Sequence, residues 1–257
     1  MTEELFRSDG YMTECEATVV AVGDPGVVLD RTVFYPLGGG QAGDSGVLVL
    51  ADGSELVIAD TRKGKDADGR PNGEIVHVPA ADQAALLALL APGARVVARI
   101  AWERRHRMMR LHTTTHLLCH LVPHPVDGCS ITPDYARLDF HMTEPLDKVA
   151  LSEGIARLVA AAHPVEVGSI SDAELDANPA LVRSMSVQPP RGTGRVRTIR
   201  IGGQGGDIGT GDAAQPAIDY QPCGGTHVHS TFEIGAVLVT KIEKKSAGTR
   251  RVVLGFA

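Results

Sequence analysis

Apolar and polar residues divide the chain into two regions of different character. Up to about residue 102 the apolar positions come in short runs with imperfect alternation, broken every few residues by turn formers. Residues 15–22 alternate and stop at Gly23-Asp24-Pro25-Gly26, and residues 27–29 and 47–50 are short apolar runs. Ala51-Asp52-Gly53-Ser54 reads as a hairpin turn leading into 55–59. Segments 74–78 and 95–102 are further strands. Charge and glycine dominate 61–73, which predicts an exposed loop, and 80–91 predicts one helix ending before Pro92-Gly93. Many short strands with frequent turns predict a small β-barrel.

Beyond Trp102 the pattern changes. Residues 103–121 contain neither Gly nor Pro, and Met108, Leu111, Thr115, Leu118 and Val122 recur at helical spacing until Pro123 and Pro125 stop them. A second helix is expected over 145–162, and a shorter one from Ser171-Asp172 to just before Pro179. Strands are expected at 195–201, 234–243 and 250–256, with the Gly-rich segment 202–217 as a flexible loop between two of them. The class is α+β, with a barrel domain over 1–103 and a mixed domain over 104–257.

Composition narrows the function. The 257 residues are 43% hydrophobic, enough for buried cores, but only 4% aromatic, which argues against a nucleic-acid binder built on stacking platforms. A formal net charge of -6 argues against a general grip on phosphate backbone, while leaving room for a local contact with an RNA end. The four cysteines, Cys15, Cys119, Cys129 and Cys223, are scattered, so free or metal-bound thiols in a cytosolic protein are the simplest expectation. The N-terminus lacks the marks of a signal peptide, and no apolar run approaches the ~20 residues of a membrane span. The expected location is the cytoplasm, with no membrane partner.

Two segments carry candidate chemistry. In Arg110-Leu111-His112-Thr113-Thr114-Thr115-His116, two histidines four residues apart on a helix share a face, ~5–6 Å apart. In Cys223-Gly224-Gly225-Thr226-His227, two glycines let the chain turn so that thiol and imidazole converge. Together His112, His116, Cys223 and His227 supply three nitrogens and a thiolate, a good set for tetrahedral zinc. Each half alone is weak, because a helical histidine pair is often structural and a lone cysteine is often a small buried apolar residue. His116 with His120 is a rival pair, disfavoured because eight residues of helix drift about 80° around the axis. His229 is expected to point away from His227. His77, His106, His124, His141 and His163 have no partner at useful spacing. A zinc protease would need HExxH, and position 113 is Thr.

The segment His112-Thr113-Thr114-Thr115-His116-Leu117-Leu118 resembles the first motif, HTATHLL, of the editing domain shared by alanyl-tRNA synthetases and free-standing AlaX proteins. Cys223-Gly224-Gly225-Thr226-His227-Val228, followed by Thr231-Phe232-Glu233-Ile234-Gly235, is similar to the second, and Lys241-Ile242-Glu243-Lys244-Lys245 with Arg250-Arg251 also fits. Thr32-Val33-Phe34-Tyr35-Pro36-Leu37-Gly38-Gly39-Gly40-Gln41, then Asp44-Ser45-Gly46, resembles the family's TxFYPxGGGQxxDxG signature, with Ala42 where Pro is common. The resemblance covers nearly the whole chain.

It implies a β-barrel followed by a two-layer α/β editing domain of the threonyl/alanyl-tRNA synthetase type. The implied activity is zinc-dependent hydrolysis, in trans, of the ester joining a wrong amino acid, serine and also glycine, to the acceptor end of alanine tRNA. It further implies that Thr32 and Gln41 contact the substrate hydroxyl, with Gly39 and Gly40 allowing close backbone approach. Two basic clusters, Arg104, Arg105, Arg107 and Arg110, then Lys241, Lys244 and Lys245, are candidates for tRNA phosphates, Arg104, Arg107, Lys241 and Lys244 foremost; solvated helix and strand faces are the plainer reading of each. The alternative functions are a non-catalytic zinc module that binds RNA or protein, and a metallohydrolase for another ester or small molecule.

Overall fold

The computed structural model describes residues 1–185, 188–189, 194–203 and 216–257. It divides into two compact units, Met1–Arg107 and Met108–Ala257. The architecture is α+β.

In the first unit the strands are β1 (Glu3–Glu4), β2 (Glu14–Val22), β3 (Val27–Leu29), β4 (Arg31–Thr32), β5 (Gly46–Val49), β6 (Glu55–Lys65), β7 (Pro71–Pro79) and β8 (Arg95–Ile100), with one short helix, α1 (Ala84–Leu87). β2-β3-β7-β6-β5-β8 close into a barrel, which leaves no free edge among them. Alternate residues point inward, so Leu56 and Ile58 of β6 and Val96, Ala98 and Ile100 of β8 join Leu29, Phe34 and Leu48 in the core.

Two expectations for this unit need correction. The exposed loop expected over 61–73 is confined to 66–70: β6 runs on to Lys65 and β7 starts at Pro71, paired Lys65 to Pro71. Thr61, Arg62 and Lys63 pair with His77, Val76 and Ile75, so backbone bonding carries a charged stretch whose composition reads as coil. The helix expected at 80–91 shrinks to Ala84–Leu87, with no side-chain cap at its start.

The segment 31–46 is held from several sides. Gly39 and Gly40 both adopt positive φ, 58° and 84°, between reciprocal Gly38–Gln41 backbone bonds of 3.1 and 3.0 Å. Both central residues of this two-residue turn need φ > 0, which glycine meets without strain. The Tyr35 hydroxyl donates to Gly38 O at 2.8 Å. Asp44, 1% exposed, accepts from Tyr35 N at 2.7 Å and from the fully buried Arg105, which also donates to Val33 O and Gly10 O. A buried guanidinium is tolerable because every one of these partners is in place.

His77 is fully buried. Its Nδ1 lies 3.0 Å from Val27 O, which accepts the ring proton there, so Nε2 accepts from the Thr32 hydroxyl at 2.8 Å. The Thr32 oxygen in turn accepts from Phe34 N at 3.0 Å.

The second unit contains most of helix α2 (Trp102–Leu121), then β9 (Val126–Ile131), β10 (Tyr135–His141), α3 (Lys148–Ala160), β11 (Val165–Ser171), α4 (Asp172–Ala177), β12 (Arg195–Ile201), β13 (Asp219–Pro222), β14 (Val237–Ser246) and β15 (Thr249–Phe256). Two sheets form, β14-β15-β10-β9 and β11-β12-β13. The strands at 126–131, 135–141, 165–171 and 219–222 were not expected from sequence. Asp147 caps α3 through Val149 N and Ala150 N, so this helix starts three residues later than the expected 145. The last hairpin begins at Val237 rather than 234, because Thr231–Ile234 form a 3₁₀ turn capped by Ser230 and Glu233. Of the expected Gly-rich loop, residues 204–215 lie outside the described residues.

Burial pushes the His77 imidazole down from its ordinary 6.5 to about 4, against the bond to Val27 O. Between those values the unfolded chain takes up a proton that the folded chain refuses. Stability is therefore full above the unfolded value and falls as pH drops through that window. Between about pH 7 and about pH 4.5 the unfolding free energy of the parent should fall by on the order of 2 kcal/mol more than that of His77→Gln. Urea unfolding at the two pH values checks this; equal pH dependence in both proteins contradicts it.

Candidate metal centre

Helix α2 is buried on every side from Leu111 to Cys119. Such a helix is normally apolar all round, yet this one carries three threonines and two histidines there. The threonines neutralise themselves on their own helix: Thr113 donates to Met109 O at 2.9 Å, Thr114 to Arg110 O at 2.8 Å and Thr115 to His112 O at 2.6 Å. Only the two imidazoles are left to be satisfied from elsewhere.

They meet the loop that follows β13. The donor atoms of His112, His116, Cys223 and His227 all lie within 4.8 Å of one another. Cys223 Sγ is 3.5 Å from His112 Nε2 and 3.3 Å from His227 Nε2. The three histidines are 4–6% exposed, so the cluster is largely withdrawn from water. His120 is not in it; its Nδ1 bonds Ile218 O at 2.9 Å. His229 also stands outside it, exposed.

Neighbouring groups set the tautomers. His116 Nδ1 lies 2.7 Å from Asp219 Oδ2, an oxygen that also accepts from Gln221 Nε2 at 2.9 Å. The Thr113 hydroxyl proton is committed to Met109 O, so His227 Nδ1, 3.2 Å away, is the donor in their contact. In both rings Nε2 is therefore the nitrogen left for a ligand, the usual arrangement behind metal-binding histidines. Arg197 Nη1 donates to Cys223 O at 2.7 Å and Gly225 O at 3.0 Å, tying the Cys-Gly-Gly loop to β12.

Electrostatics couple the same four groups. Burial alone would push the Cys223 thiol up, but His112 and His227 outweigh it and hold the thiol well below its ordinary range. Burial, reinforced by His112, pushes His227 well below the usual imidazole value. His116 goes the other way: burial opposes its charge, but Asp219 and Cys223 lift it to about 10. Three imidazole nitrogens and a readily ionised thiol make a donor set that suits zinc and could hold a metal ion.

Comparison with known proteins places the chain in a family. Residues 196–253 match the family model of the threonyl and alanyl tRNA synthetase second additional domain. Over 98% of both chains, the protein is 32% identical to the alanyl-tRNA editing protein AlaX-M of Saccharolobus solfataricus and 35% identical to that of Methanosarcina barkeri. The chain belongs to the alanyl-tRNA editing protein family. It is also 34% identical to the alanine–tRNA ligase of Ignicoccus hospitalis, over 98% of this chain but only 25% of that protein.

The other family-motif residues are placed as follows. Thr32 and Gln41 are both buried in the first unit, Thr32 on His77 and Gln41 closing the Gly38–Gln41 turn. Gly39 is exposed at the tip of that turn. Arg104 donates to Gly43 O at 2.6 Å, and Arg107 is half-buried. Arg105 is spent on Asp44, and Arg110 on Ile234 O and the Phe256 ring, 4.5 Å from its centroid. Lys241 pairs with Glu243, Lys245 with Asp139, and Lys244 is exposed.

Asp219, Gln221, Thr113 and Arg197 were missed in the sequence. The one available signal was an acidic residue four positions before Cys223, and spacing alone does not say which imidazole it meets. Asp219→Asn should weaken zinc binding by about 10–100-fold while leaving the circular dichroism spectrum unchanged, as expected when the support behind a metal-binding histidine is lost. Competition against a zinc chelator measures it; an unaltered affinity would remove Asp219 from the site.

Proposed function

We propose that the protein removes misattached amino acids from alanine tRNA in trans, by zinc-dependent hydrolysis of the ester at the tRNA acceptor end, with serine as the main substrate and glycine as the second. Membership of the editing-protein family makes the chain an aminoacyl-tRNA deacylase. The observation that carries the finer reading is the convergence of His112, His116, Cys223 and His227. These four would hold zinc, which when bound supplies Lewis-acid polarisation or a water ionisable near neutral pH.

The chain's own groups do the rest. Asp219 and Thr113 hold two imidazoles by Nδ1, so that neither ring can turn its protonated nitrogen inward. The buried setting excludes bulk water and strengthens each polar contact made there. An ester is an easier target than an amide, which fits a motif without a glutamate beside its histidines.

Serine must be accepted and alanine refused although alanine is smaller, so size exclusion cannot discriminate. A polar group left unpaired when alanine enters can. We assign that contact to Gln41 and to the lone pair of the Thr32 oxygen that His77 and Phe34 N leave uncommitted, with Gly39 and Gly40 shaping the turn that carries Gln41. Arg104, Arg107, Lys241 and Lys244 are assigned to tRNA phosphates, and the setting of the reaction is the cytoplasm.

Purified protein should deacylate seryl-tRNA(Ala) and spare alanyl-tRNA(Ala), lose that activity to chelator and regain it with zinc. Gln41→Ala should slow serine removal without changing zinc content. Thr32→Val should slow it too, with a loss of stability, because it strands His77 Nε2 without its donor. Zinc-loaded protein with no turnover on seryl-tRNA(Ala) would contradict the proposal.

A further inference from the structure

The sheet β14-β15-β10-β9 has two unlike faces. On β10, Ala136, Leu138 and Phe140 are buried, while Tyr135, Arg137, Asp139 and His141 alternate onto the other face. Register places Arg251 of β15 directly across from Asp139, and Glu243 of β14 directly across from Arg251. Lys241, two residues from Glu243 along β14, shares the face.

Asp139 is the one buried acid there, 1% exposed. It accepts from Arg251 Nε at 2.7 Å and Nη2 at 2.9 Å, from Arg137 Nη1 at 2.9 Å and from Lys245 Nζ at 2.8 Å. Burial would raise its carboxyl, but Arg251, Lys245 and Arg137 outweigh that and hold it at about 2. Gly128 lies opposite on β9, where a Cβ would come within 3.3 Å of Asp139 Oδ2. The row ends at Asp127, which takes His141 and the Thr249 hydroxyl.

One carboxylate thus orients three cations, and Glu243 pairs with the fourth, Lys241. Between Tyr135 and Asp139 the face carries more positive than negative charge, on a chain whose formal net charge is -6. The cations remain accessible: the side chains of Lys241, Lys245 and Arg137 are 65%, 49% and 30% exposed. Tyr135, 41% exposed, heads the row.

We propose that this face docks the phosphodiester backbone of the substrate RNA, at nucleotides set back from the reacting end. The surplus charge is complementary to phosphate and would release bound counterions. Cations already oriented by a shared carboxylate have less rotamer freedom to lose on binding than free surface lysines. The Tyr135 ring offers a stacking plane to one base. Cys129, across from Leu138, falls on the opposite face, with the buried residues of β10. The four metal-binding donors belong to α2 and to the loop after β13, not to this sheet, and the RNA held here is assigned to nucleotides other than the esterified one. The identity of the RNA as tRNA rests on the deacylase reading; the surface itself does not.

The test uses the full chain, an uncharged alanine tRNA transcript and fluorescence anisotropy over a range of salt concentrations. The double variant Arg137→Ala, Lys245→Ala leaves Asp139 with its two-pronged Arg251 partner. It should raise Kd about tenfold and lower the slope of log Kd against log salt by about 2. Lys241→Ala and Tyr135→Ala lie outside the Asp139 network and guard against a folding artefact. The first should lower the slope by about 1, and the second should weaken binding about fivefold with the slope intact. Unchanged affinity and slope in all of them overturns the proposal. A parent that binds tRNA through this face yet never deacylates it contradicts the proposed function and leaves the surface standing; deacylation by a parent whose variants bind normally does the reverse.

Discussion

A buried contact, His116 Nδ1 to Asp219 Oδ2 at 2.7 Å, ties helix α2 to β13 and with it the two halves of the candidate centre. Helix α2 and the β13 loop are about a hundred residues apart in sequence, and each alone presents an ordinary buried side chain. A lone carboxylate at 1% exposure would cost several kcal/mol of desolvation. His116 and Gln221 offset that on Oδ2, while Oδ1 has no partner among the described residues. Asp219 is kept at this expense because it determines which nitrogen His116 turns toward Cys223. Thr113 does the same for His227 at no charge cost, spending a hydroxyl that a buried helix would otherwise have to hide.

The first unit solves a comparable problem. Its Gly-rich segment is irregular, and irregular backbone is positioned only by what bonds to it. Asp44 and Arg105, both buried, supply that anchor, and Tyr35 fastens the turn from the other side. Gln41 is thereby presented on a rigid two-glycine turn rather than on a mobile loop. Thr32 is oriented just as firmly, its proton on His77 and its oxygen under Phe34 N.

Much of this could be read from sequence. The barrel announced itself in short alternating runs between turn signals, and α2 in nineteen residues, 103–121, free of Gly and Pro. The four donors were legible because an i, i+4 histidine pair and a Cys-Gly-Gly-Thr-His turn are both short-range patterns. What escaped was non-local. β6 beyond Thr61 looks like coil until β7 pairs with it, and β9 and β10 carry too many polar residues for their apolar side to stand out. Asp219 looked like any acid in a polar stretch, and Arg105 and Arg110 like members of a basic patch, until packing gave each an internal partner. Motifs reveal which residues do chemistry; the partners that orient them come from distant parts of the chain and leave no periodicity.

The central claim is that three imidazoles and one thiolate hold a single zinc ion. X-ray absorption at the zinc edge of the purified, zinc-loaded chain tests it most directly. The account predicts one zinc per chain, with one sulfur at about 2.3 Å and three nitrogens at about 2.0–2.1 Å. A shell without sulfur, or a chain that retains no zinc after dialysis, would contradict it.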